Sequence, residues 1–243
     1  MTLRARYSLE QAQGTDSPAG GGCPGGVSSG SPTRRGRPSI AEAEQLYGKI
    51  LEASWQVLLD SGLDTFTFDR VARHAHIGKA TIYSRFAGKR ELLEALVQHG
   101  MSHRRAMITA IGANVSLAEA FRLRAVETLE MLNSPSGKLM ERLIDWLDTE
   151  SGKPQDGYRS MAYRTWVEAV RDHLEEARRR GDIVIGNCES AARFWIEGIL
   201  GHFKMASSEL GQDRAQHMRW ADLYVGFFFA GVRQYGSPGS LLD

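Results

Sequence analysis

Cysteine is nearly absent from this 243-residue chain: there are two, Cys23 and Cys188, far apart and without metal or redox spacing. That excludes a disulfide scaffold and a cysteine-built zinc site, and both residues read as reduced thiols of a cytoplasmic protein. Long hydrophobic runs are missing too. The most apolar late stretch, residues 223–232, has about half the length needed to cross a bilayer. The N-terminus lacks the apolar segment of a signal peptide, so no membrane association is expected. Period-two alternation is scarce, and Ile183-Val184-Ile185 is too short to demand a sheet. There is no Gly-x-Ser-x-Gly elbow, no His-Glu-x-x-His, no phosphate loop and no dinucleotide fingerprint. Neither catalysis nor a cofactor is called for.

What is present is an ordinary globular composition, 42% hydrophobic and 24% charged, with a charge asymmetry along the chain. Residues 1–105 hold 14 Lys/Arg against 10 Asp/Glu, whereas the remainder holds 16 against 19. A positive front and a mildly acidic rear direct any anionic partner to the front. Residues 1–33 are rich in Gly, Ser and Pro and read as a disordered tail, because they bury too little to offset the entropy of ordering. A basic arm, residues 34–43, follows with Arg34, Arg35 and Arg37.

From Ala41 onward the chain reads as helix, and the fold class is all-α. Leu46, Ile50, Ala53, Val57 and Leu58 mark one apolar helix face, closed by Ser61-Gly62. A second helix starts at Thr67, whose hydroxyl can cap the first turn while Phe66 and Val71 staple it. It ends near Ala75, and after His76-Ile77-Gly78 a third short helix runs from Lys79 to Phe86. Later helices are expected over 117–132, 137–149, 157–180, 189–207 and 214–235, punctuated by Pro135, Pro154, Gly181-Asp182 and Gly211.

The informative part is the pair of short helices. Two helices crossing steeply need a small residue at the contact, which Ala72 supplies, with Val71, Ala75, Ile77 and Ile82 closing a small core. The second helix then stands proud enough to enter a major groove. The run from Thr67 to Phe86, with Thr81-Ile82-Tyr83 and Phe86, then Lys89 and Glu91-Leu92-Leu93, resembles the DNA-binding domain of the TetR family of bacterial repressors. The resemblance covers about residues 44–104, with the helix-turn-helix at 67–86, and implies a helical ligand-binding and dimerisation domain over 105–243. It places Lys79, Ala80 and Thr81 against the bases. Thr67, Tyr83, Arg85 and Lys89 are placed against phosphates, where they set register. Two departures stand out: His76 where the family usually has Gly, and Gly78 where it often has Ser or Thr.

Three further groups of residues complete the reading. Arg34, Arg35 and Arg37 either reach an A·T-rich minor groove or form a solvated charge run. Among the rear aromatics, Phe121, Trp146, Tyr163 and Trp166 lie on helices that, by the resemblance, line a ligand cavity; the alternative is ordinary core. The last two helices carry Phe194, Gly198 and Gly201 opposite Tyr224 and Phe228, a surface either for a second subunit or for the monomer's own core. His99 and His103 have chelating spacing, but no third ligand joins them in sequence, so no metal is expected. The expected function is a homodimeric regulator on a palindromic double-stranded operator, released by a small hydrophobic effector. An activator or partner-gated regulator of the same fold, or a helical enzyme or interaction module, is the alternative.

Overall fold

The computed structural model describes residues 39–112, 114–151, 157–206 and 213–235. The tail and the first part of the arm, with Cys23 and Arg34, Arg35 and Arg37, lie outside the described residues, whereas residues 40–43 of the expected arm form the start of the first helix. Among the described residues there are nine helices and no strand. They are α1 (Ile40–Ser61), α2 (Phe68–Ala75), α3 (Lys79–Tyr83), α4 (Lys89–Ala110), α5 (Leu117–Asn133), α6 (Pro135–Ser151), α7 (Tyr158–Arg180), α8 (Cys188–Ala206) and α9 (Arg214–Tyr235).

Short polar residues start most of these helices, because the first amides have no intrahelical acceptor. Ser116 Oγ accepts from Glu119 N, Asn187 Oδ1 from Ser190 N, and Asp213 Oδ1 from Gln216 N. α6 begins two residues before the expected Gly137. Ser134 Oγ accepts from Gly137 N at 3.0 Å, and Pro135, which has no amide to satisfy, takes the first helical position. α7 borrows its cap from another helix: Asp148 Oδ1 and Oδ2 of α6 accept from the amides of Tyr158 and Arg159. It ends at Gly181, left-handed at φ 80°, as the sequence predicts.

Two apolar cores result. The first gathers α1 to α4 around Ile50, Leu58, Val71, Ile82, Leu92 and Val97. It also takes in Leu139, Met140, Leu143, Ile144 and Leu147 of α6, so the core runs across the boundary expected near residue 104. The second joins α5, α7, α8 and α9 around Phe121, Leu129, Val167, Leu174, Trp195 and Phe228. α4 contributes to the first core through its N-terminal half and continues toward α5 and α7. Cys188 is a buried free thiol in the second core, where burial pushes its pKa up. No helix among the described residues is long and apolar enough to cross a membrane.

Candidate nucleic-acid interface

The reading head is built locally. Thr67 is extended (φ −140°, ψ 152°) and its hydroxyl accepts from Arg70 N at 3.4 Å, while Phe66 and Val71 are both buried as the staple requires. At the other end of α2, His76 occupies the left-handed region (φ 52°, ψ 46°). Its amide donates to Arg73 O at 3.3 Å, and the amide of Ile77 donates to Ala72 O at 3.0 Å. This is a complete Schellman closure with histidine in the position that favours glycine. The half-buried Ile77 packs on the core beneath it. Gly78 then starts α3 with no side-chain cap.

α3 presents its first turn outward. Lys79 and Ala80 are exposed, Thr81 is half-buried, and Ile82 anchors the helix at zero exposure. Lys79 Nζ lies 2.9 Å from Asp69 Oδ2, an exposed ion pair that ties this turn to α2 and raises the lysine's pKa through the hydrogen bond. Tyr83 is 53% exposed, its ring tilted on Phe68 at 4.9 Å. Arg85 is half-buried and Thr67 exposed.

Lys89 is engaged within the chain. Its ammonium donates to Leu63 O at 2.8 Å and lies 5.9 Å from the Phe66 ring and 5.7 Å from the Trp146 ring. In this structure it ties the start of α4 to the segment after α1, because a carbonyl and two ring faces outcompete water for the cation. Trp146 packs in the same place against the first core, and the cavities described below do not include it in their walls. Arg70 and Arg73 are also exposed on α2; Arg70 donates to Ser61 Oγ and Arg73 to Asp69 O. Their signal was available as two cations one turn apart beside the recognition helix.

Several spaces lie behind this head, and three of them share residues with one another. A small, partly open cavity of about 40 Å³ is walled by Phe121, Arg124, Trp166, His173 and Trp195, with Arg104 and Arg105 at its edge. An open cleft of about 670 Å³ shares Arg104 and Trp166 with it and adds Tyr163, Met140 and Leu200. A further cleft of about 860 Å³ reaches Arg124 and His173 from the side of Arg180. Phe121, Tyr163 and Trp166 thus line cavities, although Phe121 is also core, its ring 4.7 Å from that of Trp195. Arg124 was not anticipated. Its signal is a cation on the apolar stripe formed by Phe121, Ala125, Thr128 and Leu129.

The expected second-subunit surface is only half outward. Gly198 faces Tyr224 of its own chain, with no room for a Cβ, and the Tyr224 hydroxyl donates to Phe194 O and Trp195 O. Burial pushes the Tyr224 pKa up. Phe228 is buried against Phe121 and Trp195. What points outward is Phe194 (68% exposed), Gly201, Met205, Leu223 and Phe227 (79% exposed). His99 and His103 are exposed, and no group of three potential metal ligands occurs among the described residues.

A capped short helix, a left-handed turn and an outward second helix, set before an all-helical rear, define a helix-turn-helix DNA-binding regulator. Residues 50–96 match the family described as bacterial regulatory proteins, tetR family. Over 152 residues the chain is 36% identical to the uncharacterised HTH-type transcriptional regulator YdeS of Bacillus subtilis, covering 62% of this chain and 72% of that one. Over 139 residues it is 41% identical to the DNA-binding transcriptional repressor TetR of Mycobacteroides abscessus, covering 56% and 64%. Its fold is also that of a TetR-family regulator from Pectobacterium atrosepticum, with TM-score 0.60 and 19% identity over 81% of this chain and 98% of that one. The chain belongs to the TetR family of bacterial transcriptional regulators, and it is not an enzyme.

Proposed function

We propose that this regulator is a cytoplasmic homodimeric repressor that leaves a palindromic operator when a small apolar molecule enters its rear helices. The observation that carries the DNA reading is the α3 first turn, where Lys79 and Ala80 stand exposed above the buried Ile82. On DNA, Lys79, Ala80 and the Thr81 methyl meet base edges, while Thr67, Tyr83 and Arg85 hold phosphates. Lys89 joins them only by giving up Leu63 O, so its contribution comes through the start of α4. Arg34, Arg35 and Arg37 of the arm extend the footprint into the minor groove.

The dimer rests on the outward face of α8 and α9, now read as Phe194, Gly201, Met205, Leu223 and Phe227. Five such residues on two adjacent helices leave apolar surface that a second copy covers with a two-fold interface. Two heads then meet matching half-sites of one duplex. Release follows if the effector binds more tightly to a dimer whose heads no longer fit, and DNA must weaken effector binding by the same factor. The Mycobacteroides abscessus relative, which is named a repressor, supports repression over activation. Gel shift on DNA flanking the encoding gene tests the reading. Retarded, salt-sensitive complexes are expected; their absence at low salt on every flanking fragment refutes it.

A further inference from the structure

Arg124 is a buried cation held by carbonyls and an imidazole. It is 7% exposed, and among the described residues no carboxylate forms an ion pair with it. Two nearby arginines do have such partners, while Arg104, on the same cavity wall, donates to Ser136 O. Arg122 pairs with Glu119, and Arg105 lies 3.5 Å from Asp172 and 3.9 Å from Glu168. The Arg124 guanidinium instead donates to Ile108 O (3.2 Å), Thr109 O (3.3 Å), Ile111 O (3.1 Å) and His173 Nε2 (2.6 Å). His173 Nδ1, in turn, bonds Ala169 O at 3.2 Å, which leaves Nε2 as the acceptor of a neutral ring. Burial pushes the Arg124 pKa down to about 10, a sign that the cation is poorly compensated.

Those carbonyls belong to the C-terminal end of α4. Helix ends of this kind carry partial negative charge and unpaired acceptors, so Arg124 serves as an external cap. A full carboxylate offers the same guanidinium two charge-assisted bonds in a matching plane, which a set of carbonyls cannot. Arg124 also lines the small, partly open cavity of about 40 Å³, which has room for a carboxylate and little more. Across Trp166 and Arg104 lies the cleft of about 670 Å³, whose apolar wall includes Met101, Met140, Ile144 and Leu200.

We infer that the effector is an amphipathic carboxylate whose head takes the Arg124 guanidinium from the last carbonyls of α4, with its apolar body in the adjoining cleft. α4 starts directly after the reading head and holds it through Leu92, Leu93, Leu96 and Val97. Uncapping its far end loosens the helix that links effector to DNA. This rests on the effector-released reading above and supplies the ligand class and the residue that senses it.

The test titrates the full chain with decanoate and naphthalene-1-acetate, each against its uncharged amide, following tryptophan fluorescence and heat. The carboxylates are expected to bind about ten- to a hundredfold more tightly than the amides, the worth of one well-made charge-assisted contact. Arg124→Met should abolish that preference. Hydrogen exchange on the wild-type chain gives a second reading that does not depend on the variant folding. Amides of residues 107–110 should exchange faster with decanoate and not with decanamide. Equal affinity for acid and amide, a preference that survives in Arg124→Met, or unchanged exchange overturns the proposal. A carboxylate that binds through Arg124 and frays α4 yet leaves operator affinity unaltered sustains the site and refutes effector release instead.

Discussion

His76 gives a direct measure of how the turn is held. It is the single residue other than glycine at positive φ among the described residues, and its side chain is exposed. A left-handed backbone costs an L-residue about 1–2 kcal/mol, with histidine toward the tolerant end. Glycine removes that strain but adds about 0.5–1 kcal/mol of chain entropy to the unfolded state. Both amides of the Schellman closure come from the backbone and survive the change. His76→Gly should therefore stabilise the chain by about 0.5 kcal/mol, raising Tm by about 1–2 °C for a domain of this size. His76→Ala, which keeps the strain, should fall at or below wild type. Thermal unfolding at one fixed protein concentration separates the three. Hydrogen exchange at the Ile77 amide provides the local reading and should slow in the glycine variant. A glycine variant less stable than both others would refute the reasoning, since the entropy cost of glycine would then outweigh the strain it relieves.

Other outcomes follow from the same contacts. Gly198→Ala should destabilise by about 2–3 kcal/mol, since its Cβ overlaps Tyr224, whose ring is stacked between Trp195 and Trp220, and puts the Tyr224 hydroxyl bonds at risk. Gly201→Ala, with open space around it, should leave monomer stability nearly untouched, and calorimetry of the two variants compares them. Phe227→Asp should convert a micromolar dimer to monomer in sedimentation; a variant that remains dimeric excludes this face as the interface. Stability should also depend on acid. Burial and the Arg124 guanidinium hold the His173 pKa below its ordinary 6.5, with Asp172 opposing and Arg180 assisting. The unfolded chain then binds the extra proton first, so stability is intact above about pH 6.5 and is lost as pH falls toward the folded-state pKa. His173→Gln should flatten that slope in denaturant titrations, leaving the part due to His202, whose pKa burial and His217 also lower.

The reading head was legible in the sequence because its determinants are local. Thr67, Phe66 with Val71, Ala72 and the His76-Ile77-Gly78 turn all act within twenty or so residues, through caps and neighbours three or four apart. Most helix boundaries were legible for the same reason, except where Ser134 and Pro135 moved the start of α6 forward and where α3 stops at Tyr83 instead of running to Phe86. Tertiary structure alone decided which way the helices are turned. α8 and α9 each carry apolar residues on more than one side, so periodicity marks them as buried without saying against what. Gly198, Tyr224 and Phe228 went inward, leaving Phe194 and Phe227 outside. Lys89 and Trp146 met each other across α4 and α6, a pairing between residues far apart in the chain. Arg124 found the end of α4 in the same way, sixteen residues from Ile108. A helix propensity is set by a few neighbours, whereas a partner for a buried charge is set by the packing of the whole chain.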